Sequence, residues 1–389
     1  MENNNSSGTG HRNGSADGPT AVKYGMIGTG MMGVEHIYNV NAIDDAAVVA
    51  ISDPDEGSRQ AGLEAATAGA NGTEVRSSAD HRDLLDADVD AVVISSPNFT
   101  HRAVLEDVLT TGAHVLIEKP MCTTVADCLA VIDLVEETKG RFPDRIVQVG
   151  LEYRYMPPVA KLIDEVAGGT VGRVRMVAIR EHRFPFLVKV GDWNRFSANT
   201  GGTLVEKCCH FFDLMNLIIG DRPTRVMASG AQDVNHLDEV YDGRSSDVLD
   251  NAYVIVDYPN GERAMLDLCM FAEATRYQEE ISVVGERGKA EALLPEGIFR
   301  LGHRGEHFVG DVVDQPVDDS HIAYDGLHHG SSFVEHQEFL AAIRGKRPVP
   351  VTVEDGLWSV AMGVAAHRSI DQQRPVTMAE ILEEAEALR

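Results

Sequence analysis

The chain has 389 residues, 43% of them apolar and 24% charged, which is typical of a globular protein large enough for two domains. Its formal net charge of −27 argues against nucleic acid and anionic membrane surfaces as partners, since both are polyanions. It contains no apolar run long enough to span a bilayer, which predicts no membrane insertion.

Residues 1–20 are rich in Asn, Ser, Gly and Asp and contain no hydrophobic secretory segment, so they predict a disordered tail. The five cysteines are odd in number and scattered along the chain. This pattern favours reduced thiols in a cytoplasmic protein over a disulfide framework.

Residues 21–150 alternate short apolar runs with helix-length amphipathic stretches. The pattern predicts strands at Val22–Ile27, Ala47–Ser52, Ala91–Ser95, Val115–Ile117 and Ile146–Val149, with a weaker one near Val75. It predicts helices at Met32–Ala42, Arg59–Ala68, His101–Thr110 and Val125–Lys139. Strands that are apolar throughout and separated by helices indicate a parallel sheet covered on both faces. We therefore expect an α/β protein that begins with a doubly wound Rossmann domain over residues 21–150.

Residues 151–389 show strands that alternate apolar and polar positions. The strand candidates are Arg173–Arg183, Asn251–Tyr258, Arg263–Phe271 and Ile281–Val284, and Asn260-Gly261 predicts a hairpin between the second and third. Helices are expected after Gly201-Gly202 and at Phe333–Ile343 and Val353–Gln372, and Asp233–Asp250 is expected to be a loop. The pattern predicts a second α/β domain, for substrate binding and oligomerisation, with a mainly antiparallel sheet.

The first predicted strand leads into Gly28-Thr29-Gly30-Met31-Met32-Gly33 and then a helix, the context in which this glycine spacing indicates dinucleotide binding. The helix N-terminus would face the pyrophosphate. Asp53 follows the second strand, where its carboxylate would accept hydrogen bonds from ribose hydroxyls and repel a 2′-phosphate. NAD is therefore favoured over NADP, although Arg59 could reach a 2′-phosphate.

Three further segments occur in order along the chain. They are Ser96-Pro97-Asn98-Phe99-Thr100-His101, then Glu118-Lys119-Pro120, then Gly201-Gly202-Thr203-Leu204 followed by Glu206, His210 and Asp213. Over about residues 21–375 the chain resembles the Gfo/Idh/MocA family, which includes glucose–fructose oxidoreductase and inositol dehydrogenase. The resemblance implies that Lys119 lies beside the nicotinamide and the reacting hydroxyl, with Ser96, Pro97, Asn98, His101 and Glu118 in the cofactor site. It also implies that the helix after the glycine pair supplies an acidic residue and a histidine acid/base.

The spacing of Glu206, His210 and Asp213 predicts that they share one helix face. Removal of hydride from an alcohol needs a base for its proton, and a histidine suits this role. A carboxylate one turn away would hold the tautomer of His210, and Lys119 would stabilise alkoxide charge. The family commonly has Asp where this chain has Glu206, which leaves open a structural pairing of Glu206 with Lys207 or Arg154. A metal site at Cys208, Cys209, His210 and Glu206 is disfavoured, since adjacent cysteines on a helix point apart.

Residues near the expected cleft are candidates for substrate contacts. Tyr153 and Arg154 follow the last Rossmann strand, and Trp193 and Arg195 precede the glycine pair. For these residues packing between the domains is the alternative. His328 and His329 lie in a polar segment and are interpreted as mobile surface histidines.

Together these features predict an NAD-dependent dehydrogenase that oxidises a secondary ring hydroxyl of a cyclitol or sugar, with His210 as acid/base and Lys119 assisting. The alternatives are sugar modification or glycoside cleavage through a 3-keto intermediate, and a non-catalytic sugar or NAD sensor. A homodimer or homotetramer is expected, because one face of the second sheet needs cover, and Val254, Val256, Met265 and Leu268 are candidates for that face.

Overall fold

The computed structural model describes residues 21–70, 74–305 and 310–389, so the predicted tail at 1–20 lies outside the described residues. The first sheet has six parallel strands in the order β3-β2-β1-β4-β5-β6. Its strands are β1 (Val22–Ile27), β2 (Ala46–Ser52), β3 (Arg76–Ser78), β4 (Ala91–Ile94), β5 (His114–Glu118) and β6 (Val147–Gly150). The predicted doubly wound Rossmann sheet is thereby confirmed, with strand ends displaced by at most one residue.

Helices cover both faces of this sheet, because its central strands are buried along their whole length. They are α1 (Met31–Asn41), α2 (Glu56–Gly69), α3 (His81–Leu85), α4 (His101–Val108) and α5 (Val125–Lys139). The pattern had not predicted α3, whose five residues are too few to show a helical period.

The second sheet has nine strands in the order β16-β15-β14-β13-β7-β12-β11-β8-β17. All its neighbours pair antiparallel except β12 with β7, which confirms the mainly antiparallel sheet. The strands are β7 (Val174–His182), β8 (Arg225–Ala231), β11 (Asn251–Asp257), β12 (Arg263–Cys269), β13 (Glu279–Gly285), β14 (Gly288–Leu294), β15 (Ile298–His303), β16 (Val312–Pro316) and β17 (Val376–Thr377). The expected hairpin turn at Asn260-Gly261 joins β11 to β12.

The segment Asp233–Asp250 is not loop throughout, because β9 (Val240–Tyr241) and β10 (Arg244–Ser245) form a short hairpin within it. Helices pack on one face of the large sheet and against the Rossmann unit. They are α6 (Pro157–Ala167), α7 (Ser197–Thr200), α8 (Thr203–Glu206), α9 (Cys209–Ile219), α10 (Ser331–Ile343), α11 (Val353–Gln372) and α12 (Met378–Ala387). Among the described residues, these helices and the earlier ones are too short or too polar to reach across a membrane.

The other face of the large sheet is open, and its composition corrects one expectation. Val254, Val256 and Leu268 lie beneath the helices with at most 2% of their surface exposed, whereas Met265 is 39% exposed. Strand side chains alternate between faces, and β11 and β12 pair Ile255 with Met265. The open face therefore carries the other set of apolar side chains: Met176, Met227, Tyr253, Ile255 and Met265.

The chain returns to the Rossmann unit after β16, and β17, later in the chain, completes the edge of the second sheet. Helix α10 packs against α1, and its Phe339 and Leu340 join the core formed by Tyr24, Met26 and their neighbours. Helices α11 and α12 pack against α5. The first unit is therefore built from both ends of the described chain, and eight of the nine strands of the large sheet lie between them.

Candidate active site

The glycine loop between β1 and α1 is held by close backbone contacts. A Cβ atom at Gly28, which has φ +86°, would lie 2.5 Å from the backbone nitrogen of Ser96. A Cβ at Gly33 would lie 2.0 Å from the Gly28 carbonyl oxygen. Gly30, by contrast, faces open space, and α1 begins at Met31 without a side-chain cap, so its first amide groups are free to bind an anion. The loop fits the pyrophosphate of a dinucleotide.

Asp53 closes the far side of this loop at the end of β2. One carboxylate oxygen accepts from the Thr29 amide at 2.7 Å and the other from the Asp55 amide at 2.9 Å. A carboxylate has about four lone-pair positions, so acceptor capacity remains for ribose hydroxyls. The Arg59 Nη1 donates to the Asp53 carbonyl at 2.7 Å, which holds this guanidinium against the backbone. These groups fit NAD.

The segment Ser96–His101 forms a turn at the end of β4. Ser96 and Thr100 share a hydroxyl hydrogen bond of 2.7 Å, and Asn98 is buried. The two ring nitrogens of His101 each lie 2.9 Å from a carbonyl oxygen, one of Ser96 and one of Pro120. His101 thus ties the turn after β4 to the turn after β5, and its ring has no nitrogen left for a ligand.

Glu118, at the end of β5, is fixed by a histidine pair. Burial raises its pKa, but the hydrogen bond from His36 Nε2 at 2.8 Å outweighs this and holds the pKa at about 2. Because Nε2 of His36 donates to a carboxylate, its Nδ1 accepts from His336 Nε2 at 2.9 Å. The other Glu118 oxygen accepts from the Lys119 amide at 3.0 Å. Helices α1 and α10 therefore orient the strand end that carries Lys119.

Lys119 extends across the cleft to the second domain, where its Nζ donates to the Glu206 carbonyl at 3.1 Å. Burial lowers its pKa, but Cys209, Glu118, Glu152 and Glu206 outweigh burial and hold the pKa above its ordinary value. Lys119 is therefore a fixed positive charge. Burial raises the pKa of Glu206 to about 7, against the opposing effect of Lys119 and Lys189.

The expected single helix through Glu206, His210 and Asp213 is interrupted, which corrects the predicted shared face. Helix α8 ends at Glu206, and α9 begins at Cys209. The carboxylate beside His210 is that of Glu152, whose Oε1 lies 3.8 Å from Nε2 of the ring, and not that of Glu206. Asp213 instead forms a buried ion pair with Arg154.

Arg154 is a predicted substrate contact, but its guanidinium group binds other groups of the protein. Its Nε and Nη2 donate to Asp213, its Nη1 donates to the Pro350 carbonyl at 2.8 Å, and Asp355 lies 3.3 Å away. Arg195 is likewise buried and bound to Glu239 at 3.0 Å and to loop carbonyls. Both arginines therefore hold structure together, as the alternative interpretation had it. Trp193 packs edge-on against Phe99 with ring centroids 6.3 Å apart.

His210 is 2% exposed and stacks on Tyr153, with ring centroids 4.0 Å apart and planes 11° from parallel. Burial lowers its pKa well below the ordinary value, and the positive charges of Lys119 and Lys207 lower it further. The imidazole is therefore neutral at physiological pH and able to accept a proton. Its Nδ1 is buried and has no hydrogen-bond partner among the described residues.

Tyr153 is itself held from behind by a buried lysine. Its hydroxyl accepts from Lys207 Nζ at 2.5 Å, and the same Nζ lies 2.9 Å from the carboxylate of Glu181. Burial lowers the pKa of Lys207, and Glu181 opposes that shift. This cluster fixes the ring on which His210 stacks, and it gives Lys207 a partner other than Glu206.

His328 is not a mobile surface residue, which corrects the interpretation from sequence. Its side chain is 23% exposed, lies 6.1 Å from the Tyr153 ring, and places Nδ1 3.8 Å from Glu152 Oε1. The segment before it is anchored to the Rossmann unit, because the Leu327 amide donates to Glu35 on α1 at 2.9 Å. Burial lowers the pKa of His328 to about 3.

Sequence reasoning missed Glu152, Lys189 and His328. Glu152 lies in the same segment as Tyr153, so proximity to a candidate was the only available signal. Lys189 lies in an irregular segment before the glycine pair, and burial lowers its pKa. Lys189 and His328 are distant from Glu152 in the sequence, and only the tertiary fold brings them to the active site.

A dinucleotide loop at one edge of a parallel sheet, facing a buried lysine and a neutral histidine, defines an NAD-binding oxidoreductase. Residues 22–143 match the model of the oxidoreductase family's NAD-binding Rossmann fold, and residues 163–378 match that of its C-terminal alpha/beta domain. The chain belongs to the Gfo/Idh/MocA oxidoreductase family. The predicted family and the NAD-binding fold are thereby confirmed.

Relatives of known name cover most of the chain. Myo-inositol 2-dehydrogenase of Thermotoga maritima is 28% identical over 93% of this chain and 100% of its own length. Inositol 2-dehydrogenase 2 of Saccharopolyspora erythraea is 32% identical over 73% of this chain and 76% of its own. The crystal structure of a putative myo-inositol dehydrogenase from Sinorhizobium meliloti has a TM-score of 0.73 and 26% identity, covering 92% of this chain and all of that one.

Proposed function

We propose that the protein is an NAD-dependent dehydrogenase that oxidises a secondary ring hydroxyl of a cyclitol or sugar, with myo-inositol and its relatives as the leading substrate class. The observation that carries this proposal is the approach of Lys119, at the end of β5, to the helix pair that bears Glu206 and His210. A fixed positive charge and a neutral imidazole meet there at the carboxyl edge of the cofactor sheet. Relatives named inositol 2-dehydrogenase support the choice of substrate class.

In this proposal, bound NAD accepts a hydride from the ring carbon. His210 takes the hydroxyl proton, and Lys119 stabilises the negative charge that develops on the oxygen. Glu206 lies beside Lys119 and balances its charge. The hydroxyl groups not under attack would meet buried acceptors such as Glu206 Oε2, which has no partner among the described residues.

A substrate screen tests this function. The purified protein is mixed with cyclitols and hexoses, with NAD and NADP side by side, and absorbance of the reduced cofactor is followed. We expect NADH to form with a cyclitol or sugar, and with NAD preferred. A substrate that is converted without net NADH would instead indicate redox-assisted modification through a 3-keto intermediate. Binding of NAD and sugar with no conversion would indicate a sensor.

We further propose a homodimer or homotetramer that assembles through the open face of the large sheet. Met227, Tyr253 and Ile255 expose 45%, 64% and 45% of their surface on this face. Such a contiguous apolar patch is costly to leave in water. Light scattering at micromolar concentration, in low and high salt, measures the mass, and a monomer in both would contradict the assembly.

A further inference from the structure

Oxidation of an alcohol releases a proton, and in this site the proposed base is enclosed. His210 is 2% exposed, and its ring is covered on one face by Tyr153. Burial and the charges of Lys119 and Lys207 lower its pKa, so the protonated form is disfavoured and has to be discharged before the next turnover. Each turnover therefore requires a path by which the proton leaves His210 for solvent.

Glu152 lies on such a path. Its Oε1 is 3.8 Å from Nε2 of His210 and 3.8 Å from Nδ1 of His328. Each gap exceeds a hydrogen bond by about 1 Å, a separation that side-chain rotation can close when substrate is bound. Both carboxylate oxygens of Glu152 and Nδ1 of His328 are buried with no hydrogen-bond partner among the described residues. These atoms therefore keep hydrogen-bonding capacity for one another within this part of the described structure.

His328 connects this path to the outside, because its side chain retains 23% exposure. The backbone before it is anchored to α1, because the Leu327 amide donates to Glu35. Tyr153 is a neighbour of both histidines, with its ring centroid 4.0 Å from that of His210 and 6.1 Å from that of His328.

We propose that Glu152 and His328 relay the substrate proton from His210 to solvent, an inference that rests on the proposed dehydrogenase function. The hydroxyl O–H bond breaks, and its proton goes to Nε2 of His210 while the hydride leaves the ring carbon for NAD. Glu152 accepts the proton from His210 and passes one on to Nδ1 of His328, which releases one proton to water. Glu152 ends the cycle in the state in which it began.

The charges around Glu152 suit this role. Burial raises its pKa to about 8, with Glu118 raising it and Lys119 and Lys207 opposing. Glu335 on α10 is also buried nearby, and its pKa is raised by burial and by Glu152. A carboxyl group whose pKa lies near the working pH takes up and gives away protons with equal ease.

The test compares His328→Asn with His329→Asn in the full-length protein. His329 has φ +53°, a conformation that Asn tolerates, so the control preserves the backbone. Stopped-flow measurement follows NADH by absorbance and released protons by a pH indicator in weak buffer. We expect His328→Asn to lower kcat at least about tenfold, with proton release delayed, KM and NAD affinity unchanged, and kcat restored by added imidazole. His329→Asn should match the unmodified protein.

Glu152→Gln keeps the shape but cannot pass a proton, so its kcat should fall similarly and imidazole should not restore it. A role in folding alone would not make turnover depend on imidazole concentration. If His328→Asn keeps kcat within about twofold, with no imidazole dependence and prompt proton release, the relay is overturned while the dehydrogenase stands. If the unmodified protein forms no NADH from any cyclitol or sugar, the proposed function fails and the relay with it.

Discussion

The two ends of the cleft are built on different principles. At the cofactor end the groups are backbone amides and one carboxylate, Asp53, and both oxygens of that carboxylate are already hydrogen-bonded within the loop. At the chemical end the groups are side chains from separate segments, and Glu152, Glu206 and His210 retain buried atoms that have no partner in the described part of the chain. The cofactor end therefore holds its carboxylate in place and leaves the first backbone amides of α1 free for an anion, whereas the chemical end leaves buried side-chain groups for the substrate to satisfy.

This difference shows which part of the site lowers the folding stability of the protein. A buried polar atom without a partner costs about 1–3 kcal/mol of folding free energy, so an arrangement such as the chemical end is retained only where function requires it. At the cofactor end, Asn98 Nδ2 is one such atom among the described residues. Substitutions at the two ends should therefore differ in kind: changes at the chemical end reduce turnover, and changes at the cofactor end reduce binding or selectivity.

The largest expected effect is at His210. His210→Ala should lower kcat about 10²–10⁴-fold, because it removes the proton acceptor, while NAD affinity by fluorescence titration stays unchanged. Lys119→Ala should lower kcat at least about 10²-fold. The two losses should be less than additive in the double variant, since both residues act on one proton and one developing charge. A His210→Ala enzyme with nearly normal kcat would remove the contrast between the two ends.

Next in size is a structural effect beside the site. Arg154→Ala leaves Asp213 buried without its partner and should lower the free energy of unfolding by about 3–5 kcal/mol, measured by urea denaturation. The control is Arg102→Ala, because Arg102 pairs with Asp127 at the surface, where such pairs contribute about 0–1 kcal/mol. If Arg154→Ala and Arg102→Ala lower the free energy of unfolding equally, Arg154 is not the buried structural residue described above.

A smaller effect depends on pH. The pKa of Glu152 is about 8 in the folded protein against an ordinary value of 4.5. Its protonated form favours the fold, so this contribution is fully present below pH 4.5 and is lost as pH rises through 8. Each unit of pKa difference corresponds to about 1.4 kcal/mol. Glu152→Gln should therefore raise the thermal midpoint relative to the unmodified protein at pH 9 but not at pH 4.5. If the two proteins differ in thermal midpoint by the same amount at both pH values, Glu152 is not a buried carboxyl group that binds a proton on folding.

The smallest effect is expected at the cofactor end. Asp53→Ala should narrow the preference of kcat/KM for NAD over NADP about tenfold, by removing a charged hydrogen-bond acceptor and its repulsion of a 2′-phosphate. Asp55→Ala is the matched control, because Asp55 caps α2 through the Ser58 amide and faces away from the loop. Asp55→Ala should affect the stability of the fold and leave the preference of kcat/KM for NAD over NADP unchanged. An unmodified protein that prefers NADP would contradict the assignment of Asp53.

The same contrast explains how much could be predicted from sequence. The glycine loop and Asp53 are local features with a fixed spacing, and the strands around them are apolar throughout. The loop, Asp53 and these strands could therefore be predicted from the sequence alone. Lys119 and His210 were placed by resemblance, and the structure brings their segments together. The partner of His210 was misassigned because helical spacing assumes an unbroken helix, whereas the chain breaks between Glu206 and Cys209. His328 was missed because 176 residues separate it from Glu152, and only the closed tertiary fold brings the two within 3.8 Å.

The insertion between β6 and α10, which holds every strand of the large sheet except β17, has a consequence for how such proteins can diversify. Glu152 and His328 stand at the entrance and the exit of that insertion, 3.8 Å apart, so its two ends meet at one point on the Rossmann unit. A segment with adjacent ends can be exchanged as a unit, provided that the new segment fills the core that this one shares with β4, β5 and α11. Such an exchange would bring in Glu152, His210 and His328 together and leave Glu118 and Lys119 with the cofactor. New substrates could then be acquired along with the groups that handle their protons.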